Sequence, residues 1–247
     1  SFDKPVDMMN PLERRSTFAL SSIFALRMLG LFMIIPVFAV VGQSYQYATP
    51  ALIGLAVGVY GLSQALLQIP FSLWADRFSR KPLIVFGLLL FALGGAVAAM
   101  SETIYGVIIG RAIAGAGAVS AVVMALLADV TREENRTKAM AVMGMSIGLS
   151  FVVAFSLGPW LTSLVGISGL FWVTTIMGLL AILMLFMVPK TTRHHKNFKQ
   201  GYLHQLKQVL KMGDLNRLHV SVFALHLLLT AMFVYVPSQL INFAGIP

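Results

Sequence analysis

Three ionisable side chains lie inside long apolar stretches of the sequence, where a charge is costly. Arg27 stands midway along the first stretch, Arg111 lies in the fourth, and His226 lies in the seventh. An ionisable residue at such depth usually faces a cavity or a partner and marks an ion or substrate pathway. Either arginine could bind an anionic substrate group or tune a protonatable neighbour, whereas Arg111 could instead snorkel or bond backbone carbonyls. His226 could carry a proton, because imidazole titrates near neutral pH, or it could pack between helices.

Polar side chains also follow one face of the second apolar stretch. Tyr60, Gln64 and Gln68 recur at every fourth residue, so a helix would place them in one row. Such a row either lines a cavity or hydrogen-bonds neighbouring helices. Because none of the nine acidic residues falls mid-stretch, His226 is the one candidate for a proton carrier within the apolar segments.

A dense group of charges separates the second apolar stretch from the third. Asp76, Arg77, Arg80 and Lys81 lie in this turn, and Asp129 ends the fourth stretch. Asp129 therefore lies on the same membrane side as the charged turn, among cations, and an ion pair there would be costly to break singly once partly buried. The alternative is that these are ordinary charges at a membrane surface.

The elements that must position these groups are membrane-spanning helices. The chain of 247 residues is 58% hydrophobic and only 11% charged, against about 25% charged in soluble domains. Stretches longer than about 20 apolar residues span a bilayer, and in lipid they must be helical. Asn10-Pro11-Leu12-Glu13 predicts the start of the first helix, and Thr131-Arg132-Glu133-Glu134 predicts a capping box. The sequence predicts an all-α, polytopic membrane protein with helices at 16–42, 50–75, 82–100, 103–129, 134–164, 168–188 and 218–240.

The positive charges are distributed in alternation. Of 18 Lys and Arg, sixteen fall in the N-terminal segment and in the second, fourth and sixth connections. This positive-inside pattern predicts a multi-pass membrane protein whose N-terminus and sixth connection lie in the cytoplasm. It also explains the net charge of +9 by contact with anionic lipid headgroups, without nucleic acid. The predicted organisation is a cytoplasmic segment at 1–15, a six-helix bundle at 16–189, a basic segment at 190–217 that could form an amphipathic helix, and a further helix within 218–247.

Pairs of small residues suggest close helix packing. Gly54 and Gly58, and likewise Gly144 and Gly148, stand four residues apart, as does Gly158 from Ala154. This small-xxx-small spacing is typical of tightly packed membrane helices.

The charged turn resembles the signature loop of the major facilitator superfamily, Gly-x-Leu-Ala-Asp-Arg-x-Gly-Arg-Lys. Both pattern glycines are serine here, at Ser72 and Ser79. The matching residues are Leu73, Ala75, Asp76, Arg77, Arg80 and Lys81.

Two further motifs extend the resemblance along the chain. Arg111, Gly115 and Gly117 resemble the family's fourth-helix motif, and Gly158-Pro159 resembles the core of its antiporter motif, without the flanking glycines. The run Leu26-Arg27-Met28-Leu29-Gly30, with Pro36, is similar to bacterial drug/proton-antiporter-like members. This likeness implies a protein of the bacterial inner membrane.

The resemblance implies a fold of two six-helix halves around a central cavity. This chain would be the N-terminal half, with its 3+3 inverted repeat, plus a seventh helix, and a C-terminal half is the expected partner. The implied function is secondary active transport of a small molecule by alternating access, as proton-coupled efflux driven by a proton gradient without a cofactor. Asp76, Arg80 and Asp129, flanked by Arg77 and Lys81, would latch one conformation.

Three other readings are distinguishable. An intramembrane enzyme is not expected, because the sequence contains no metal-ligand or nucleophile–base motif. A transport-inactive fragment, or a channel-like or scaffold protein, is the main alternative.

The substrate class stays open, because the family likeness favours a lipophilic or cationic compound while two buried arginines favour an anion.

Overall fold

The computed structural model describes residues 9–190 and scattered positions between 207 and 232. His226, the seventh helix as a whole and most of the basic segment at 190–217 lie outside the described residues. The chain divides into two units, Ser1–His194 and His195–Pro247. The helices of the first unit are α1 (Pro11–Val41), α2 (Pro50–Arg77), α3 (Arg80–Ala99), α4 (Ile104–Ala116), α5 (Ser120–Val130) and α6 (Glu133–Leu185).

Five helical stretches of the described chain are long and apolar enough to cross a membrane, with α4 and α5 together forming one of them. The longest, α6, has 53 residues, or about 80 Å of helix, whereas a bilayer core is about 30 Å thick. It is bent at Gly166, whose φ of 71° and ψ of 179° are not helical and favour glycine. The limbs on either side, 133–165 and 167–185, correspond to the predicted fifth and sixth helices.

The predicted helix-start signal of α1 is confirmed, but the predicted capping box of α6 is not. Asn10 and Glu13 form a reciprocal capping box with Pro11 in the first turn. The helix therefore begins at this signal, five residues before the predicted range of 16–42. At α6 the N-cap is Arg132, without a side-chain capping bond. The predicted capping box at Thr131 is therefore wrong, because its hydroxyl donates instead to the Leu127 carbonyl at 2.6 Å.

The predicted fourth helix at 103–129 is interrupted. It ends at Ala116 and resumes at Ser120, because Gly117 has a ψ of 57°, which is not helical. A Cβ at Gly117 would lie 2.1 Å from the Gly87 carbonyl oxygen of α3, so the interruption packs directly on a neighbouring backbone.

The helices pack as an antiparallel bundle in which α1 lies mainly against α6, and α4 lies against α2 and α3. The end where α1 begins, α2 turns into α3 and α5 turns into α6 is called the charged end below. The two α2 and α6 glycine pairs do not pack as predicted within the described chain: a Cβ at Gly54, Gly58, Gly144 or Gly148 meets nothing within 4 Å. By contrast, Gly158 does pack tightly, with its Cβ position 2.8 Å from the Met33 carbonyl oxygen.

Candidate functional site

A buried ion pair joins two helices at the charged end. The Nε of Arg80, in the first turn of α3, lies 3.0 Å from Oδ2 of Asp129 near the end of α5. Their side chains are 6% and 21% exposed, so the pair is largely shielded from solvent. The structure thus brings together Arg80 and Asp129, which were both predicted to belong to the latch.

The other residues of the charged turn lie around this pair. Asp76 and Arg77 are exposed in the last turn of α2. Lys81 donates through Nζ to the Val188 carbonyl, which ties α3 to the chain just after α6. Ser79 replaces a glycine of the family pattern without backbone strain, because its φ is −59° and its ψ is 135°.

A second cluster at the charged end was not predicted. Glu13 is 2% exposed, and its carboxylate accepts hydrogen bonds from the Arg132 backbone N at 2.8 Å, from Arg132 Nε at 3.1 Å and from Asn135 Nδ2 at 3.0 Å. The hydrogen bond from the Arg132 side chain to Glu13 is the largest cause of the raised pKa of Arg132. The sequence signal was the Asn10–Glu13 spacing, which indicates a helix start but not a contact 119 residues along the chain.

The side chain of Arg27, which belongs to α1, reaches the interruption between α4 and α5. It is 2% exposed and donates to the Ser120 hydroxyl at 2.9 Å, to the Gly117 carbonyl at 3.0 Å and to Gln64 Oε1 at 3.3 Å. Its guanidinium also lies over the ring of Phe91, 5.9 Å from the centroid. The partners that residues 9–190 supply to this cation are neutral dipoles and aromatic faces.

Arg111 shows a similar arrangement on the other side of the interruption. It is 5% exposed and donates to the backbone carbonyls of Ala56 at 3.1 Å and Val57 at 3.3 Å. Its guanidinium lies 5.0 Å from the centroid of the Tyr60 ring. This geometry corresponds to the carbonyl-bonding alternative for Arg111.

The predicted polar row on α2 consists of Tyr60, Gln64 and Gln68, and its members have different surroundings. Tyr60 is 3% exposed and borders a cavity of about 10 Å³ beside Arg111, room for roughly one water. The Gln64 side chain accepts a hydrogen bond from Arg27. At Gln68 it is the backbone carbonyl that accepts a hydrogen bond, from the Ser72 hydroxyl within α2 at 2.8 Å. Tyr60 and Gln64 therefore contribute to helix contacts more than to a wide cavity, and a cavity-lining role of Gln68 stays a prediction.

The motif glycines allow close approach of backbones. A Cβ at Gly115 would lie 2.3 Å from the Tyr60 carbonyl oxygen, which brings α4 against α2. Gly158 packs on α1 as described, and Pro159 follows it at an exposed position within α6.

A larger crevice of about 420 Å³ opens between α1 and α6. Its lining is mostly apolar, with Met184 from the second limb of α6. The polar residues that line it are Ser21, Ser22, Ser146 and Ser150. Ligand pockets in proteins have volumes of about 300–1,000 Å³ and a few polar groups among apolar ones, so this crevice has the size and character of a small-molecule site.

An all-helical bundle with charge clusters at one end, buried arginines and a crevice of ligand size describes a polytopic membrane protein of the transporter type. The family model of the Major Facilitator Superfamily matches residues 20–246. The chain belongs to this family of membrane transporters.

Relatives and solved structures agree with this assignment. The chain is 48% identical over 241 residues to the inner membrane transport protein YajR of Escherichia coli strain K12, covering 97% of the chain and 53% of YajR. It is 27% identical to multidrug resistance protein 1 of Bacillus subtilis strain 168, over 73% of the chain and 46% of that protein. A bacterial homologue of the human lysosomal transporter Spinster, in an inward-facing conformation, shares the fold with a TM-score of 0.71 at 16% identity, over 97% of the chain and 58% of that structure. The chain thus spans about half the length of the curated relatives that it matches here.

Proposed function

We propose that this chain forms one half of a secondary active transporter that moves a small molecule across the bacterial inner membrane by alternating access, as proton-coupled efflux. The Arg80–Asp129 pair is the observation that carries the proposal. A largely buried ion pair between two helix ends is stable while intact and costly to break, so it can hold one of two conformations. The N-terminus and the charged end then face the cytoplasm, in agreement with the positive-inside pattern.

The proposed partner is a second half-bundle, continuous with this chain or supplied separately. Gly54 and Gly58 on α2, and Gly144 and Gly148 on α6, leave open space around their Cα atoms. Small residues on two lipid-length helices allow close approach of another helix. These two faces are therefore the proposed contacts with the second half.

A lipophilic small molecule is the proposed substrate. The crevice between α1 and α6 offers about 420 Å³ of mostly apolar space with serine hydroxyls. Arg27 and Arg111 already donate to protein carbonyls, which supports an uncharged or cationic compound over an anion. The name of the relative in Bacillus subtilis, a multidrug resistance protein, supports efflux as the direction.

The test is proton flux in everted membrane vesicles from cells that express the whole gene product. Lipophilic compounds, cationic, neutral and anionic, are added in turn while a pH-sensitive dye reports the lumen. A cationic or neutral compound should dissipate the gradient, and Asp129→Asn should reduce this response. A response to anions alone would overturn the substrate class, and no response to any compound would favour the scaffold alternative.

A further inference from the structure

The interruption of the fourth span turns α5 into a separate, short helix. α5 has 11 residues, so it is about 16 Å long. The bonds that remain across the break are tight turns, including Val119 N to the Gly117 carbonyl at 2.8 Å. No continuous helical ladder therefore fixes α5 relative to α4.

Arg27 fastens the beginning of α5. Its guanidinium donates to the Ser120 hydroxyl in the first turn of α5 and to the Gly117 carbonyl at the end of α4. The carbonyl end of a helix carries partial negative charge, so a cation is stabilised there. The bond to Gln64 adds α2 as a third anchoring element.

Arg80 fastens the other end of the same helix. Asp129 lies one residue before the end of α5, and Arg80 holds it from α3 at 3.0 Å. α5 is therefore held between two buried guanidinium groups that come from different helices. A shift of α5 at one end changes the position from which the other end can meet its partner.

We propose that Arg27 is a positioning residue for the Arg80–Asp129 pair, and that the 117–119 interruption is a hinge which couples the middle of the bundle to the charged end. Arg27 fixes the position of Ser120 at the start of α5. Because α5 moves as one helix, this also fixes where Asp129, near its other end, meets Arg80. The inference deepens the proposed alternating-access function, on which its biological meaning rests. Its test measures helix geometry alone, so it stands or fails independently of transport.

The test uses spin-label distances in lipid nanodiscs. The chain contains no cysteine, so Ile109→Cys on α4 and Met124→Cys on α5, both at exposed positions, give two unique labels about 20 Å apart. The doubly labelled protein that retains all its arginines should give one narrow distribution of the distance between the two labels. Arg27→Gln should add a second population across the hinge, of at least about a fifth of the molecules, or broaden the distribution about twofold.

Arg111→Gln is the matched control. It removes a guanidinium that is also buried but bonds α2 carbonyls on the α4 side of the break, and it should leave the distance distribution narrow. Ser120→Ala is a milder variant that removes one acceptor of Arg27, in case Arg27→Gln does not fold. It should broaden the distribution less than Arg27→Gln, and Arg27→Lys should restore part of the narrow population.

If Arg27 acts through the Arg80–Asp129 pair, the effects of substitutions at the two ends of α5 should not be additive. Asp129→Asn should also broaden the distribution in the unchanged background, and it should add little once Arg27→Gln is present, because both ends of α5 act on one motion. Additive effects would identify Arg27 as a merely structural group. An unchanged distribution in both Arg27→Gln and Ser120→Ala, or equal broadening in Arg111→Gln, would overturn the hinge.

Discussion

Replacing Glu13 by Gln probes the cluster that joins the start of α1 to the start of α6. The substitution keeps the size of the side chain but turns one acceptor oxygen into an NH₂ group. Oε1 accepts from the Arg132 backbone N, and Oε2 accepts from Asn135 Nδ2 and the Asn10 backbone N. In either orientation of the new amide at position 13, its NH₂ group points at N–H donors, either that of Arg132 or those of Asn135 and Asn10.

The magnitude follows from the burial of the groups that lose a partner. Glu13 is 2% exposed and Asn135 is fully buried, and a buried donor left without an acceptor costs about 1–3 kcal/mol, more where a charge is involved. The Arg132 side chain is 51% exposed, so its own pairing is left out of the estimate because solvent screens it. We expect the free energy of unfolding to fall by about 2–3 kcal/mol, a factor of roughly 30–150 in the equilibrium constant.

Unfolding by sodium dodecyl sulfate in mixed micelles, followed by tryptophan fluorescence, measures this change, since the chain has three tryptophans. Glu134→Gln is the control, because it removes an exposed acid from the first turn of α6, the helix that Glu13 contacts. It should alter the free energy of unfolding by less than about 0.5 kcal/mol. Equal effects of the two substitutions would refute the reasoning, since the loss would then reflect net charge and not the buried contacts.

Three further predictions test other parts of the structure. Gly94→Ala should lower stability, because its Cβ would lie 2.4 Å from the Gly110 carbonyl oxygen. Gly144→Ala, whose Cβ meets nothing within 4 Å among the described residues, should be neutral or stabilising in the 247-residue chain without its second half; the same unfolding titration compares them. Asp129→Asn should speed alkylation of a cysteine placed at the buried Val123 of α5 by roughly tenfold or more, for a lost charged hydrogen bond of about 1.5–3 kcal/mol, while Glu102→Gln, outside the charged end, should leave the rate unchanged. An immunoblot of source membranes with an antibody against 190–217 should show a band of roughly 50 kDa, scaled from 26.8 kDa and the 53% coverage of YajR; a band at 26.8 kDa would contradict the predicted second half on the same chain.

The fold class was predictable because lipid leaves few choices for long apolar segments. Length and hydropathy alone fix helices, and the loop motif around Asp76 and Arg80 indicates the family, which the family model and the YajR relative confirm. The interruption at Gly117 was not predicted, because Gly115 to Val119 continue the apolar run, and two glycines weaken a helix without by themselves indicating a break. The close contact with Gly87 that accompanies the interruption is a tertiary contact, which no local pattern in the sequence indicates.

The site was predictable where a motif places charges close in sequence, and not where contacts are distant. Arg80 and Asp129 meet as the family resemblance implied, although their role as a latch stays a prediction. The Glu13–Arg132 pair joins residues 119 positions apart, and nothing in their local sequences indicates it. Arg27 was identified as a costly buried cation, but its partners at Gly117 and Ser120 could not be read from periodicity.

The partners of Arg27 impose an order on biosynthesis. An arginine at the centre of a newly inserted helix costs about 2.5–3.5 kcal/mol. Gln64 is made 37 residues after Arg27, but the two closer hydrogen-bond acceptors, Gly117 and Ser120, are made 90 and 93 residues later. At about 5–20 residues per second, the first helix must wait roughly 5–20 s for them. During that interval its arginine must be accommodated by the insertion machinery, by water or by displaced headgroups. The first membrane helix of this protein is therefore expected to leave the insertion site late, together with the fourth.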